Sequence, residues 1–334
     1  MATEYLADVI DGKKVIQRLD VSDLSEGEHT FWFRICSNAL GQWLHLPVMV
    51  YKGSKPGKRF MITAGVHGDE YNGVLVAQKV ASQLATADIS GSVVIVPTVN
   101  LSGMLSHSRD YSSNDPDHST ANLNRFFPGD KNGNEAQRYV YQLWNHLLKP
   151  NADLAIDLHT QTSGTIYPLY VFADYRLTDA LKMARLMNPD VIFDDPGDPG
   201  ILETVWNRHN IPSITVEVGV GRYSDYPLID RTTKGVLNVL NNYQVLIDDG
   251  AAMEMEPPFL EGKDLISIRA ETGGFYQPQV ELLQPVKEGD LLSIQTDSFG
   301  KEVKRYYAPR SGVVLSLNVE PMRATGALIV RLIH

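Results

Sequence analysis

The chain is 334 residues long, with 40 acidic side chains against 30 basic ones and a formal net charge of −10 at neutral pH. That balance argues against a nucleic-acid partner, since phosphate binding needs clustered Lys and Arg, and no apolar run reaches membrane-spanning length. Cys36 is the one cysteine, which excludes an internal disulfide, points to a reducing cytoplasm and leaves any zinc site to histidine and carboxylate. The opening residues, Met1 to Asp8, lack the basic and apolar regions of a secretory signal. The length suits two domains, or one large domain with an appendage.

Along the chain, Phe60-Met61-Ile62-Thr63-Ala64 reads as a buried strand. The stretch 72–84 then sets Val74, Leu75, Ala77, Val80, Ala81 and Leu84 at helical spacing. Between them lies Gly65-Val66-His67-Gly68-Asp69-Glu70. His67 and Glu70 are ligand-type residues three positions apart, beside a glycine that permits a tight turn. They sit at the carboxyl end of a strand, where open α/β sheets place ligand sites. Alone, such a pair is more often an ordinary surface turn. Arg109 follows in Ser108-Arg109-Asp110, where it could polarise a carbonyl or hold an acid group. Asn122-Leu123-Asn124-Arg125-Phe126-Phe127-Pro128-Gly129 puts an amide and a guanidinium side by side in a turn. Arginine's planar fork matches a carboxylate, so Asn124 and Arg125 are candidates for substrate binding; the plainer reading of that pair is a loop salt bridge.

Helices are expected over 134–148, 177–187 and 230–247. A short apolar run from Leu154 ends in Asp157-Leu158-His159. His159 completes a set of two histidines and one glutamate, which leaves a fourth zinc position open for water. The run from Ile211 to Gly219 carries Glu217 into a buried region. An unpaired carboxylate is costly there, so Glu217 is either ion-paired with an arginine or a general base.

Four motifs in this order resemble the succinylglutamate desuccinylase/aspartoacylase family, within the zinc carboxypeptidase superfamily. They are G-x-H-G-D-E at 65–70, N-L-N-R-x-F-P-G at 122–129, D-L-H at 157–159 and V-E-x-G at 216–219. Together they span most of residues 55–222. The resemblance implies one zinc ion held by His67, Glu70 and His159, with Glu217 as acid/base. It also implies substrate carboxylate recognition by Asn124 and Arg125, and a catalytic role for Arg109. Asp157, on the same strand face as His159, is placed to orient it. The expected fold is α/β, a zinc-carboxypeptidase-like mixed sheet flanked by helices. The expected activity is zinc-dependent hydrolysis of the amide bond in a small N-acyl amino acid. The alternatives are a zinc carboxypeptidase acting on short peptides and a catalytically silent metal-dependent binding protein. A homo-oligomer stays open.

The stretch 248–258 breaks helical periodicity and ends in Pro257-Pro258, which reads as a linker. It divides a catalytic α/β domain, 1–250, from a smaller all-β domain, 258–334. Short β runs at 265–269, 291–295, 312–317 and 327–333 suggest a barrel-sandwich of the lipoyl or biotinyl type. Lys301 and Lys304 lack the neighbours of a cofactor-bearing lysine, so this domain is read as structural, narrowing the mouth of the site. From Pro258 onward nine basic residues balance nine acidic ones, so the acidic excess lies in the first part.

Overall fold

The computed structural model describes residues 2–113, 115, 120–247 and 260–334. The linker read at 248–258 lies outside the described residues, as do Asp117 and His118. Four strands open the chain: β1 (Glu4–Ile10), β2 (Lys13–Arg18), β3 (Gly27–Ser37) and β4 (Trp43–Lys52). Next come β5 (Lys55–Ala64), α1 (Tyr71–Leu84), β6 (Asp88–Val96), α2 (Leu101–Ser106), α3 (Glu135–Leu143) and β7 (Leu154–Gln161). After these follow β8 (Thr165–Ile166), β9 (Leu169–Ala173), α4 (Thr178–Leu186), β10 (Val191–Asp194) and α5 (Leu202–Arg208). The region closes with β11 (Ser213–Val220), α6 (Tyr226–Asn242), β12 (Leu246–Ile247) and β13 (Leu260–Gly262).

All of these strands except β8 make one mixed sheet in the order β1-β2-β3-β4-β6-β5-β7-β11-β9-β10-β13, with β12 pairing on β6. Its centre is parallel: β5 pairs with β6 and β7, and β7 with β11, all running the same way. Parallel neighbours need crossover connections, so the carboxyl ends of β5, β7 and β11 meet at one edge.

Side-chain alternation decides what each face of that centre holds. Ile62, Ile156, Leu158, Ile214, Val216 and Val218 point one way, into a core shared with α1, α4 and α6. The intervening residues are polar: Thr63 on β5, Asp157 and His159 on β7, Thr215 and Glu217 on β11. Below them, on that second face, Met61 and Ala155 join a core built with β3, β4 and α3, where Trp144 packs on Trp206. The second face is therefore apolar at the strands' amino ends and polar at their carboxyl ends.

The remaining strands are β14 (Leu265–Arg269), β15 (Gly274–Pro278), β16 (Pro285–Val286), β17 (Leu291–Thr296), β18 (Glu302–Tyr307), β19 (Gly312–Asn318), β20 (Met322–Arg323) and β21 (Leu328–Ile333). They form two antiparallel sheets, ordered β14-β21-β19-β16 and β18-β17-β15-β20. The two regions interlock. β8 leaves the first region to pair with β19, and Leu260–Gly262 pairs with β10 in the large sheet.

Two helix boundaries differ from the sequence expectation. The helix expected over 230–247 begins at Tyr226, because Asp225 accepts the Leu228 N–H as a cap and Pro227 occupies the first turn. It ends at Asn242, and Gln244 adopts a φ of 57°, so Leu246–Ile247 become a strand beside β6. The helix expected over 134–148 opens on an Asn134–Gln137 capping box, but after Leu143 the turns widen into a π segment, Trp144–Leu148.

Gly73 sets how closely α1 lies on β7: a Cβ there would stand 2.5 Å from the Leu158 carbonyl oxygen. Gly73→Ala must push the helix off the strand. A loss of about 1–3 kcal/mol is expected from overpacking, read as a lower urea midpoint; an unchanged midpoint would show that α1 is not held at this contact.

Candidate metal centre

The segment after β5 turns at Gly65, whose φ of 66° favours glycine. It then passes against α2 at Gly68, where a Cβ would sit 2.0 Å from the Gly103 carbonyl carbon. The Gly68 N–H donates to the Arg109 carbonyl at 3.3 Å. This close passage carries His67 and Glu70 to the end of β7, beside His159.

His67, Glu70 and His159 are all buried, and their ligand-type atoms lie within 4.8 Å of one another. His67 Nδ1 is 2.9 Å from Glu70 Oε1, and His159 Nδ1 is 2.9 Å from Glu70 Oε2. The two Nδ1 atoms are 3.2 Å apart. Each ring is fixed from behind. His159 Nε2 meets Asp157 Oδ2 at 2.7 Å, and Asp157 Oδ1 accepts the Thr63 hydroxyl at 2.7 Å. His67 Nε2 meets Asn122 Oδ1 at 3.0 Å; that oxygen also accepts the Asn124 N–H, which fixes the amide's orientation.

Oxygen acceptors at both Nε2 atoms place the ring protons there. Each Nδ1 lone pair then faces the other ring and a carboxylate. Such a set needs positive charge at its centre, from a proton or a metal cation. Burial works to lower the His159 pKa, but the Asp157 and Glu70 carboxylates outweigh it and hold it well above the usual histidine value. Burial likewise opposes charge on Glu70, yet His67 and His159 keep its pKa well below the carboxylate range. The proton those shifts favour sits where a metal cation would. Two imidazoles and a carboxylate are a donor set that fits zinc.

Glu217 lies directly across from His159 in the β7–β11 register. Its Oε2 is closed to solvent and has no hydrogen-bond partner among the described residues. Burial and the Glu70 charge push its pKa up to about 8. A carboxyl in that range suits proton exchange near neutral pH. Among the described residues Glu217 is not ion-paired with an arginine; Arg109, the arginine in the site, pairs with Glu70.

Arg109 is in the site, but its Nη1 donates to Glu70 Oε1 at 2.6 Å. Asn124 is buried. Its Oδ1 accepts the Leu202 N–H at 2.8 Å, capping α5, so the amide's remaining hydrogen-bonding group is the Nδ2 donor. Arg125 is exposed and folds its Nη1 onto the Asn124 carbonyl at 2.7 Å. The structure thus unites His67, Glu70, His159, Glu217 and Arg109 and sets Asn124 and Arg125 on the adjoining turn. Sequence reasoning missed Asn122, although it stands inside the quoted motif, and Thr63, which reaches Asp157 only through the β5–β7 register.

A family model of the succinylglutamate desuccinylase/aspartoacylase catalytic domain matches residues 56–243. The chain belongs to that family. Among its relatives, the N-alpha-acetyl-L-2,4-diaminobutyric acid deacetylase of Halomonas elongata is 28% identical over 302 residues, covering 86% of this chain and 85% of that protein. The product-bound ectoine utilization protein EutE (DoeB) of Ruegeria pomeroyi superposes with a TM-score of 0.81 at 23% identity, over 93% of this chain and 96% of the other. A succinylglutamate desuccinylase from Silicibacter sp. TM1040 gives a TM-score of 0.78 at 25% identity, with the same coverage. The similarity to the solved structures supports the fold of the whole described chain, the C-terminal sheets included.

Replacing Asp157 by Asn removes the carboxylate behind His159. Metal affinity is expected to fall about 10–100-fold, measured by competition with a chromogenic chelator, with the far-UV spectrum unchanged. Wild-type affinity in this variant would mean that the His159 ring is held by something else.

Proposed function

We propose that the protein is a zinc-dependent hydrolase that removes the acyl group from a small N-acyl amino acid. The observation that carries this reading is the pairing of a three-donor metal set with Glu217, a half-buried carboxylate whose Oε2 is closed to solvent and has no hydrogen-bond partner among the described residues, across one strand register. The family supports deacylation, and the Halomonas relative is named for the same reaction class on an acylated diamino acid. In this reading residues 1–250 are the catalytic unit and 258–334 flank its opening. The substrate is a small molecule, and the enzyme acts in the cytoplasm. Among the described residues no helix is long and apolar enough to cross a membrane.

Zinc, held by His67, Glu70 and His159, would supply Lewis acidity to the acyl carbonyl and acidify water. The residues of the chain do the rest. Glu217 takes a proton from the attacking water as the new C–O bond forms. It returns that proton to the nitrogen as the C–N bond breaks, so the products are a free carboxylate and a free amine. Its pKa of about 8 reflects the site with no cation in it; positive charge between the imidazoles stabilises the carboxylate and makes Glu217 a base at neutral pH. Arg109, which lines the site through Glu70, offers its remaining N–H groups to the oxygen on which negative charge develops. The Asn124 amide and the exposed Arg125 fork bind the amino acid carboxylate, once Arg125 turns from its backbone carbonyl.

Two measurements test the reading. Zinc-loaded protein should release primary amine from at least one member of a panel containing N-acetyldiaminobutyrate, N-acetylaspartate and N-succinylglutamate, and a chelator should abolish the release. Glu217→Gln should lose about 10²–10⁴-fold in turnover while keeping one zinc per chain by elemental analysis. Full activity in that variant sinks the assignment of Glu217, and release only from a blocked dipeptide would move the chain to the peptidases.

A further inference from the structure

Beyond the His159–Glu217 pair, the β7–β11 register makes one more pairing. The register shifts after Glu217, so that Val220 and not Gly219 stands across from Gln161. Gly219 has a φ of 77°, which eases the extra residue into the strand. Gln161 follows His159 by two positions and so shares the face of Asp157 and His159, and paired residues of neighbouring strands share a face. The shift therefore turns Val220 to the face of the metal set. Val220 is 7% exposed, yet it belongs to neither of the two cores that flank the large sheet.

Gln161 is held at both ends of its amide. Its Oε1 accepts the Thr162 N–H at 2.9 Å, and its Nε2 donates to Ser316 Oγ on β19 at 3.4 Å. Ser316 is fully buried, so this contact brings the C-terminal sheets to the end of β7. The backbone is fixed as well: the Gln161 carbonyl accepts the Gly221 N–H at 2.9 Å. At roughly 3.3 Å per residue, Gln161 lies about 7 Å beyond His159 along the strand.

The two halves of an N-acyl amino acid leave the scissile amide in opposite directions. The 122–125 turn, proposed to take the carboxylate, stands behind His67, because Asn122 backs that ring. Gln161 and Val220 stand beyond His159 and Glu217, which leaves the acyl half to them. An acetyl group ends one carbon from the carbonyl and stops short of a fixed glutamine. A succinyl group runs on through a further methylene to a carboxylate, which needs a cation if it is taken out of water. Gln161, Val220 and Ser316 carry no charge. Arg331, across from Ser316 on β21, is committed to the Tyr167 hydroxyl and to Ser267 Oγ.

We propose that Gln161 and Val220 are specificity-determining residues that close the acyl side of the site, and that the substrate is an N-acetyl and not an N-succinyl amino acid. Ser316 is a positioning residue that acts through Gln161. This rests on the deacylase reading and on the 122–125 turn as the carboxylate end.

The test compares the N-acetyl, N-butyryl and N-succinyl forms of the amino acid that the zinc-loaded wild type releases fastest. The kcat/KM ratio of acetyl over butyryl should be at least about tenfold, the scale on which a pocket reads added methylenes, and the succinyl form should be poorer still. Gln161→Ala and Val220→Ala should each cut that ratio roughly threefold to tenfold, and Ser316→Ala should move it the same way by less. A ratio taken within one preparation does not depend on the fraction that folds. Equal rates on the three forms, a succinyl preference, or a ratio that neither Gln161→Ala nor Val220→Ala moves would overturn the proposal.

A second readout needs no turnover. Hydroxamic acids ligate zinc and carry an acyl group, so acetohydroxamate should bind the zinc-loaded protein at least about tenfold tighter than the monohydroxamate of succinic acid by calorimetry. Gln161→Ala should narrow that gap. Equal affinities in the wild type would remove the acyl-side assignment, even if the wild type cleaved nothing on the panel and the deacylase reading itself had failed.

Discussion

The structure depends on one electrostatic constraint: two imidazole nitrogens, 3.2 Å apart, facing a buried carboxylate. Nothing in an apolar interior tolerates that arrangement without positive charge between the groups. The surrounding features serve to hold it. Glu70 is kept in place by the Thr160 N–H at 3.0 Å and by Arg109, and each ring is pinned at its far nitrogen by an oxygen. Behind these lies the parallel centre of the sheet, which brings β5, β7 and β11 to end at one level. A metal with affinity for nitrogen and oxygen resolves the conflict better than a proton, because it serves all three donors at once.

Much of this was legible in the sequence. The three residues able to hold a metal, Glu217 and Asp157 fall at the ends of short apolar runs, and alternation along a strand puts residues two apart on one face. That is enough to place Asp157 behind His159 from sequence spacing alone. The helix over 178–186 and the C-terminal β runs were likewise visible, because their patterns are local. The first four strands were not. β1 lies at the sheet edge with no fully buried position, which blurs the period of two, but β3 and β4 do bury alternate residues, Phe31, Phe33 and Ile35 on one and Leu46, Val48 and Val50 on the other, a signal the sequence carried. Contacts set by register were also hidden. Thr63 meets Asp157, and Tyr170 faces Glu217, only because particular strands pair at particular offsets.

Glu203 shows the same limit. It sits on α5, 4% exposed, and burial raises its pKa well above the usual value, with Asp195 and Asp157 adding to the effect. In sequence it is one more acidic residue near the start of a helix. In the fold it is buried on α5, where burial favours its protonated form. The excess of carboxylates in this part of the chain is therefore not simply surface charge. Asp69, Glu70, Asp157 and Glu203 are among the buried ones.

The interlocking of the two regions follows from the same economy. Tyr170, Phe172 and Phe193 on β9 and β10 pack ring against ring in one apolar cluster. Leu315 and Ile333 from the C-terminal sheets pack into the same cluster, and Arg331, two residues from Ile333, crosses to Tyr167. An apolar contact alone would fix only the distance between the regions. The part-buried guanidinium–phenol bond also restrains their orientation, because its geometry is directional. The last strand is thus tied to the first region through packing and through a hydrogen bond.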